Sequence, residues 1–212
     1  MTTELACLED EDDIFDHQLP RQLRMKSSVH FTPVAVARQA ARLLAPDPGM
    51  RVLDVGSGPG KFCVIAAREV PSCTFDGVEI RPHLVAFARK LAARLQVQNA
   101  TFVGGNAFDV DWTEYQAFYF YNPFGEQLHG RAFALDRTLA LEPSQFREYV
   151  IGARQRLAAA RLGTRVVTYH SFGAPAPSGY DLVETHPIGT DRLELWIKRR
   201  DARMHTTEDH TT

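Results

Sequence analysis

The stretch Arg51-Val52-Leu53-Asp54-Val55-Gly56-Ser57-Gly58-Pro59-Gly60-Lys61-Phe62 decides how this chain folds. An apolar run ends in an acid, a loop follows with glycine at every second position, and a helical pattern takes over. Downstream, the apolar run Phe75-Asp76-Gly77-Val78-Glu79-Ile80 places a second acid 19 residues beyond Gly60. A strand, a glycine turn and a helix, with an acidic residue closing the next strand, is how an open α/β sheet grips a ribose-bearing cofactor. Glycine spacing separates the candidates. A dinucleotide site reads G-x-G-x-x-G, whereas Gly56-Ser57-Gly58-Pro59-Gly60 sets its glycines at alternate positions, which argues against a nicotinamide oxidoreductase.

Working outward from this stretch, Thr32 is a suitable N-cap and Pro33 a suitable first helical residue. The helix they open runs to about Ala45 with Val36, Ala40, Leu43 and Leu44 on one face, and Pro46-Asp47-Pro48-Gly49 stops it. Strands are predicted at 51–56, 74–80, 100–105, 117–121 and 164–170, with helices at roughly 60–69, from Arg81-Pro82 onward, and near 145–162. Asp109–Tyr115 is too short and mixed for a full crossover helix and predicts a turn or a short helical piece. Runs at about 180–187 and 192–199 are close enough to form a hairpin. The sum is an α/β fold: a mostly parallel seven-stranded sheet with helices on both faces and a C-terminal antiparallel hairpin.

Composition sets the bounds. At 212 residues, 44% hydrophobic and 24% charged, the chain suits one globular domain with a full core. That domain is expected over 25–200. No apolar stretch approaches the ~20 residues that span a bilayer, and the acidic start lacks the pattern of a secretory signal. Cys7, Cys63 and Cys73 are odd in number and lack metal-ligand spacing, so reduced thiols in a cytoplasmic protein without a metal centre are expected. Seven acids (Glu4, Glu9, Asp10, Glu11, Asp12, Asp13 and Asp16) fall in the first 20 residues with no Lys or Arg, leaving 24 basic against 19 acidic residues in the remainder. This predicts a solvated, flexible acidic segment over 1–24, matched by a frayed tail over 201–212. A dense basic stripe is missing, which argues against a nucleic-acid partner.

The glycine loop resembles motif I of the class I S-adenosylmethionine-dependent methyltransferases, and Glu79 fits the acidic residue of that family's second motif. The resemblance runs from about His30 to Lys198 and implies a Rossmann-like sheet with S-adenosylmethionine as cofactor. It implies that Gly56, Ser57, Gly58 and Gly60 let the backbone approach the methionine part of the cofactor. N–H groups at the following helix start then favour its carboxylate, and Asp54 attracts its ammonium. Glu79 has two oxygens for two ribose hydroxyls, with Ile80 beside it. Asn106 and Ala107 match the position where related enzymes read adenine. His30-Phe31-Thr32-Pro33 is similar to the F-T-P stretch of some amine methyltransferases, where the threonine lies near the cofactor carboxylate. Capping its own helix is the other role open to Thr32.

Tyr121-Asn122-Pro123-Phe124 carries the clue to the acceptor. Methyltransferases acting on nitrogen often have Asn/Asp-Pro-Pro-aromatic here. This chain lacks the second proline, so its aromatic falls one residue early. The Asn-x-Phe ending, the acid-x-Gly-Ser-Gly-x-Gly loop and Gly77-Val78-Glu79 are also similar to lysine methyltransferases of the disruptor-of-telomeric-silencing type. Both resemblances imply Asn122 and Pro123 at the acceptor, with Tyr121 or Phe124 in its wall. His170, at the end of the fifth strand, is a further candidate to accept a proton, with a purely structural role as the alternative. The expectation is methyl transfer to nitrogen of a protein side chain or small amine. A small-molecule oxygen acceptor and a non-catalytic cofactor-binding protein stay open.

Overall fold

The computed structural model describes residues 11–122, 124–125, 134–135, 143–170 and 177–201. Three short helical pieces lead the chain: α1 (11–16), α2 (Arg21–Arg24) and α3 (Ser27–His30). They are followed by α4 (Val34–Leu44), β1 (Arg51–Val55), α5 (Lys61–Glu69), β2 (Thr74–Glu79), α6 (Pro82–Arg94) and β3 (Ala100–Gly104). Two 3-10 turns, Ala107–Asp109 and Trp112–Glu114, stand where a crossover helix would be. Then come β4 (Ala117–Tyr121), α7 (Pro143–Ala159), β5 (Arg165–Tyr169), β6 (Tyr180–Ile188) and β7 (Asp191–Lys198).

The seven strands line up as β3-β2-β1-β4-β5-β7-β6, parallel through β5 and antiparallel across β7 and β6. This is the sheet expected from the sequence. Alternation along the strands builds a core on each face. Val52, Phe75, Ala117 and Tyr119 point to the side covered by α4, α5 and α6, where Ala37, Ala40, Val64 and Leu84 meet them. Leu53, Val55, Phe118 and Phe120 point to the other side, under Val150, Ala153 and Leu157 of α7 and Trp112 of the second 3-10 turn. Because β1, β2, β4 and β5 are covered on both sides, they read as nearly unbroken apolar runs.

Over 11–24 the acidic lead departs from the flexible segment expected over 1–24, and the expectation for 1–10 lies outside the described residues. Asp12 and Asp16 meet the ammonium of Lys61 at 2.6 and 2.8 Å, and Ser27 Oγ adds a third contact at 3.2 Å. Lys61 is 2% exposed, and a buried ammonium is tolerated only when its charge is paired. Glu11 pairs with Arg38 at 2.8 Å, and Leu19 is buried in the core. Glu11, Asp12 and Asp16 are thus held by particular cations on α4 and α5. Of the tail, residue 201 is described, and the expectation for 202–212 lies outside the described residues. No helix among the described residues is long and apolar enough to cross a membrane.

Candidate active site

The carboxyl ends of β1, β2, β4 and β5 share one edge of the sheet, and most of the residues singled out from sequence gather there. The loop after β1 turns sharply, with Gly56, Gly58 and Gly60 at φ of 84°, 54° and 84°. Gly60 is the least replaceable: a Cβ there would lie 2.7 Å from the Phe102 ring and 2.9 Å from Ala88. Its N–H bonds to Ser57 O, and Gly56 and Ser57 both bond to Val78 O, which ties the loop to the end of β2. Gly58 donates to Glu79 Oε2 at 3.0 Å. The loop amides are therefore committed within the fold. What remains for an anionic ligand is the start of α5, which opens at Gly60 with no side-chain cap.

Glu79 is 4% exposed, and its other oxygen accepts from the Arg81 backbone N–H at 2.9 Å, with the Arg81 guanidinium at 3.4 Å. Asp54, equally buried, receives a hydrogen bond from Cys63 Sγ at 3.4 Å and no salt bridge among the described residues. Burial pushes its carboxyl up to about 7; the Cys63 bond pulls the other way, and the nearby Glu79 charge adds to the rise. Burial likewise pushes the Cys63 thiol well above its ordinary value. A buried carboxylate next to an uncapped helix start complements a cation joined to a carboxylate, which is the chemistry of an amino-acid end group. Ser57 Oγ, also buried, has no hydrogen-bond partner among the described residues. These features fit S-adenosylmethionine: Asp54 suits its ammonium, the α5 start its carboxylate and Glu79 its ribose.

Thr32 does not cap α4. The helix begins at Val34 with Pro33 in the cap position, and the Val34 N–H goes to Asp12 Oδ1 at 3.0 Å. Thr32 Oγ1 instead meets the Tyr119 hydroxyl at 3.0 Å, in a buried position behind Asp54. Phe31, next to it, lies against Gly58. Asn106 uses its side-chain oxygen to accept the Phe108 N–H at 2.9 Å, and Ala107 O accepts from Trp112 Nε1. The Asn106 oxygen keeps a second lone pair, and its amide nitrogen is a donor. Ile80, just past β2, is 41% exposed.

Tyr121 and Phe124 do not share a wall. Tyr121 packs on Tyr169 and His170 at 5.2 Å on the α4 side, while Phe124 stacks on Tyr149 of α7 at 5.2 Å. Asn122 stands between them at φ 41°, exposed, with its amide folded over Gly125. Pro123 lies outside the described residues. Sequence reasoning missed two partners: the pairing of Lys61 with Asp12 and Asp16, and Asp191, whose Oδ1 is 2.7 Å from His170 Nδ1. A lysine amid the apolar run Phe62-Cys63-Val64-Ile65 was the available signal for the first.

Residues 46–120 match the family model of a methyltransferase domain. Among curated proteins, the release factor glutamine methyltransferase of Vibrio cholerae is 37% identical over 57 residues, 27% of this chain and 20% of that protein. The arsenite methyltransferase of Halobacterium salinarum is 41% identical over 56 residues, 26% of this chain and 14% of that protein. The chain therefore spans a fifth or less of the length of these curated relatives. Among solved structures, an RNA methyltransferase from Salinibacter ruber in complex with S-adenosyl-L-homocysteine superposes with TM-score 0.58 at 24% identity, over 81% of this chain and 95% of that one. TrmN from Thermus thermophilus gives TM-score 0.59 at 22% identity, over 79% of this chain and 49% of that one. With its sheet order, its glycine loop and its buried acids, the chain has the class I S-adenosylmethionine-dependent methyltransferase fold, and its residues 46–120 match the model of a methyltransferase domain.

Proposed function

We propose that this chain transfers a methyl group from S-adenosylmethionine to nitrogen of a protein side chain or small amine. The cofactor supplies an already activated methyl on a sulfonium. The chain's residues then need to hold that donor, align the acceptor and exclude water. Asp54 and Glu79 act as the anionic grip, with Gly56, Ser57, Gly58, Gly60 and Thr32 shaping the methionine end. Ile80, Asn106 and Ala107 border the adenine.

The observation that carries the acceptor reading is Asn122, a non-glycine residue held at φ 41° where β4 ends, on the same edge as the donor loop. An exposed side-chain amide at a strand end beside the cofactor loop can accept an amine's hydrogens through its oxygen. Tyr121 or Phe124, on opposite sides of Asn122, supplies an aromatic face that favours an alkylammonium product.

Labelled methyl transfer from S-adenosylmethionine into separated protein, RNA and small-molecule fractions tests the reading. Label in the protein or amine fraction, falling at least tenfold in Asn122→Ala while cofactor binding stays, supports it. Label confined to RNA or to oxygen overturns the acceptor class. Cofactor binding without turnover in any fraction favours a sensor.

A further inference from the structure

The inference rests on the methyltransferase reading and concerns the end of β5. Strands β4 and β5 pair in register with Tyr121 opposite Tyr169, so the next residues, Asn122 and His170, emerge side by side. Both are non-glycine residues at positive φ, 41° and 63°. The other such residue among those described, Gln96, follows the end of α6, where a left-handed residue is the ordinary way to stop a helix. Asparagine and histidine take this conformation more readily than most residues, and here the two stand together where β4 and β5 end.

His170 is held on three sides. Asp191, at the start of β7, lies 2.7 Å from Nδ1; Tyr169 is 4.3 Å away and Tyr121 5.2 Å, ring centre to ring centre. With Nδ1–H directed at a carboxylate, the neutral ring carries its lone pair on Nε2. The two phenols do not compete for the role of base. The Tyr121 hydroxyl donates to Val29 O at 3.1 Å, and burial together with the Asp191 charge raises both tyrosines above their ordinary range. Of the other charges nearby, Asp12 acts on Tyr169 from the N-terminal segment, and Arg192 turns to Glu194 at 3.7 Å. The His170 and Asp191 side chains are each one-third exposed, so a proton gained at the ring has a route to water.

We infer that His170, oriented by Asp191, is the proton acceptor of the methyl-acceptor site, so that the methylated group arrives there carrying a proton. The acceptor's lone pair forms the bond to the methyl carbon, and the carbon–sulfur bond breaks with its electron pair left on sulfur. The acceptor's proton passes to Nε2; Asp191 balances the imidazolium until the proton leaves to solvent.

Two cofactor analogues test this without a known acceptor. S-Adenosylhomocysteine has a neutral thioether, and sinefungin places an ammonium where the transferred methyl would be. Titration calorimetry is run from roughly pH 5.5 to 7.5. The sinefungin-to-S-adenosylhomocysteine affinity ratio is expected to rise about fivefold with pH, because protonated His170 repels the ammonium and neutral His170 accepts from it. His170→Asn, which tolerates the left-handed backbone, flattens the ratio; Asp191→Asn, which takes the carboxylate from Nδ1, makes the rise smaller. A flat ratio in the wild type, or the same slope in His170→Asn, overturns the inference while S-adenosylhomocysteine binding keeps the methyltransferase reading intact. Should His170→Asn fail to bind S-adenosylhomocysteine, an unchanged rise in Asp191→Asn overturns it. Failure of the wild type to bind either analogue removes the underlying reading and the inference with it.

Discussion

Asp54 and Glu79 end neighbouring strands, yet they meet their charge in different ways. Glu79 has the Arg81 guanidinium and two backbone amides, whereas Asp54 has a thiol. Asp54 therefore holds its proton up to about 7, well above the ordinary 3.8. Between those values the native protein binds a proton that the unfolded chain has released, so stability without ligand falls as pH climbs through this window. A bound cation reverses the preference by favouring the carboxylate. Affinity for S-adenosylmethionine is thus expected to rise about tenfold from roughly pH 6 to 8, with proton release visible in calorimetry, and Asp54→Asn is expected to abolish both. Gly125 offers a test of Asn122 that leaves the donor site alone. A Cβ at 125 would lie 2.2 Å from the Asn122 amide, the movable end of a side chain. Gly125→Ala is expected to keep the melting temperature within a few degrees and the cofactor affinity unchanged, while methyl transfer falls several-fold. Sequence made the acids legible because acid–loop–acid spacing is rigid in this fold. That Phe124 and Tyr121 turn to opposite faces also follows from their spacing, since residues three apart fall on opposite sides of a strand.

At the scale of elements, the lead segment is where sequence and structure part. Counting acids in 1–20 predicts repulsion and solvation, but Glu11, Asp12 and Asp16 meet cations, Arg38 and Lys61, that lie in distant stretches. The same reach explains α4. A threonine before a proline is a sound cap locally, and a better-placed carboxylate, Asp12, arrives from 22 residues upstream. Lys61→Met tests this. It removes the cation and leaves Asp16, 7% exposed, without its ammonium, a change expected to cost about 3–5 kcal/mol. In a domain of this length that is roughly a 10 °C loss in melting temperature. Pairing Lys61→Met with Asp12→Asn and Asp16→Asn is expected to recover much of it. The remaining helices and strands were legible within about three residues at each end because their apolar periods hold. The β3–β4 connection, expected as a turn or a short helical piece, is two 3-10 turns that Asp111 and Asn106 cap through their own side chains.

For the whole molecule, the mostly parallel seven-stranded sheet and its terminal hairpin were legible in the sequence, while the order β3-β2-β1-β4-β5-β7-β6 came from the structure. Cofactor identity has a direct whole-protein readout. Ligand at ~100 times its dissociation constant adds ~2.7 kcal/mol to stability, or roughly 5–10 °C for a chain of this size. S-Adenosylmethionine and S-adenosylhomocysteine are expected to give that shift in scanning fluorimetry and NAD none; a shift with NAD alone would mean that the glycine spacing had been misjudged. Residues 11–31 touch both ends of the site. They hold Lys61 of α5 and rest Phe31 on Gly58, while Lys26 Nζ bonds the carbonyls of Ala134 and Leu135 at 2.8 and 2.6 Å and Val29 O takes the Tyr121 hydroxyl. Donor grip and acceptor access are consequently not separable traits along this stretch: selection or engineering that alters one through it drags the other along, and divergence in acceptor choice has its freest path on the far side, around Phe124 and α7.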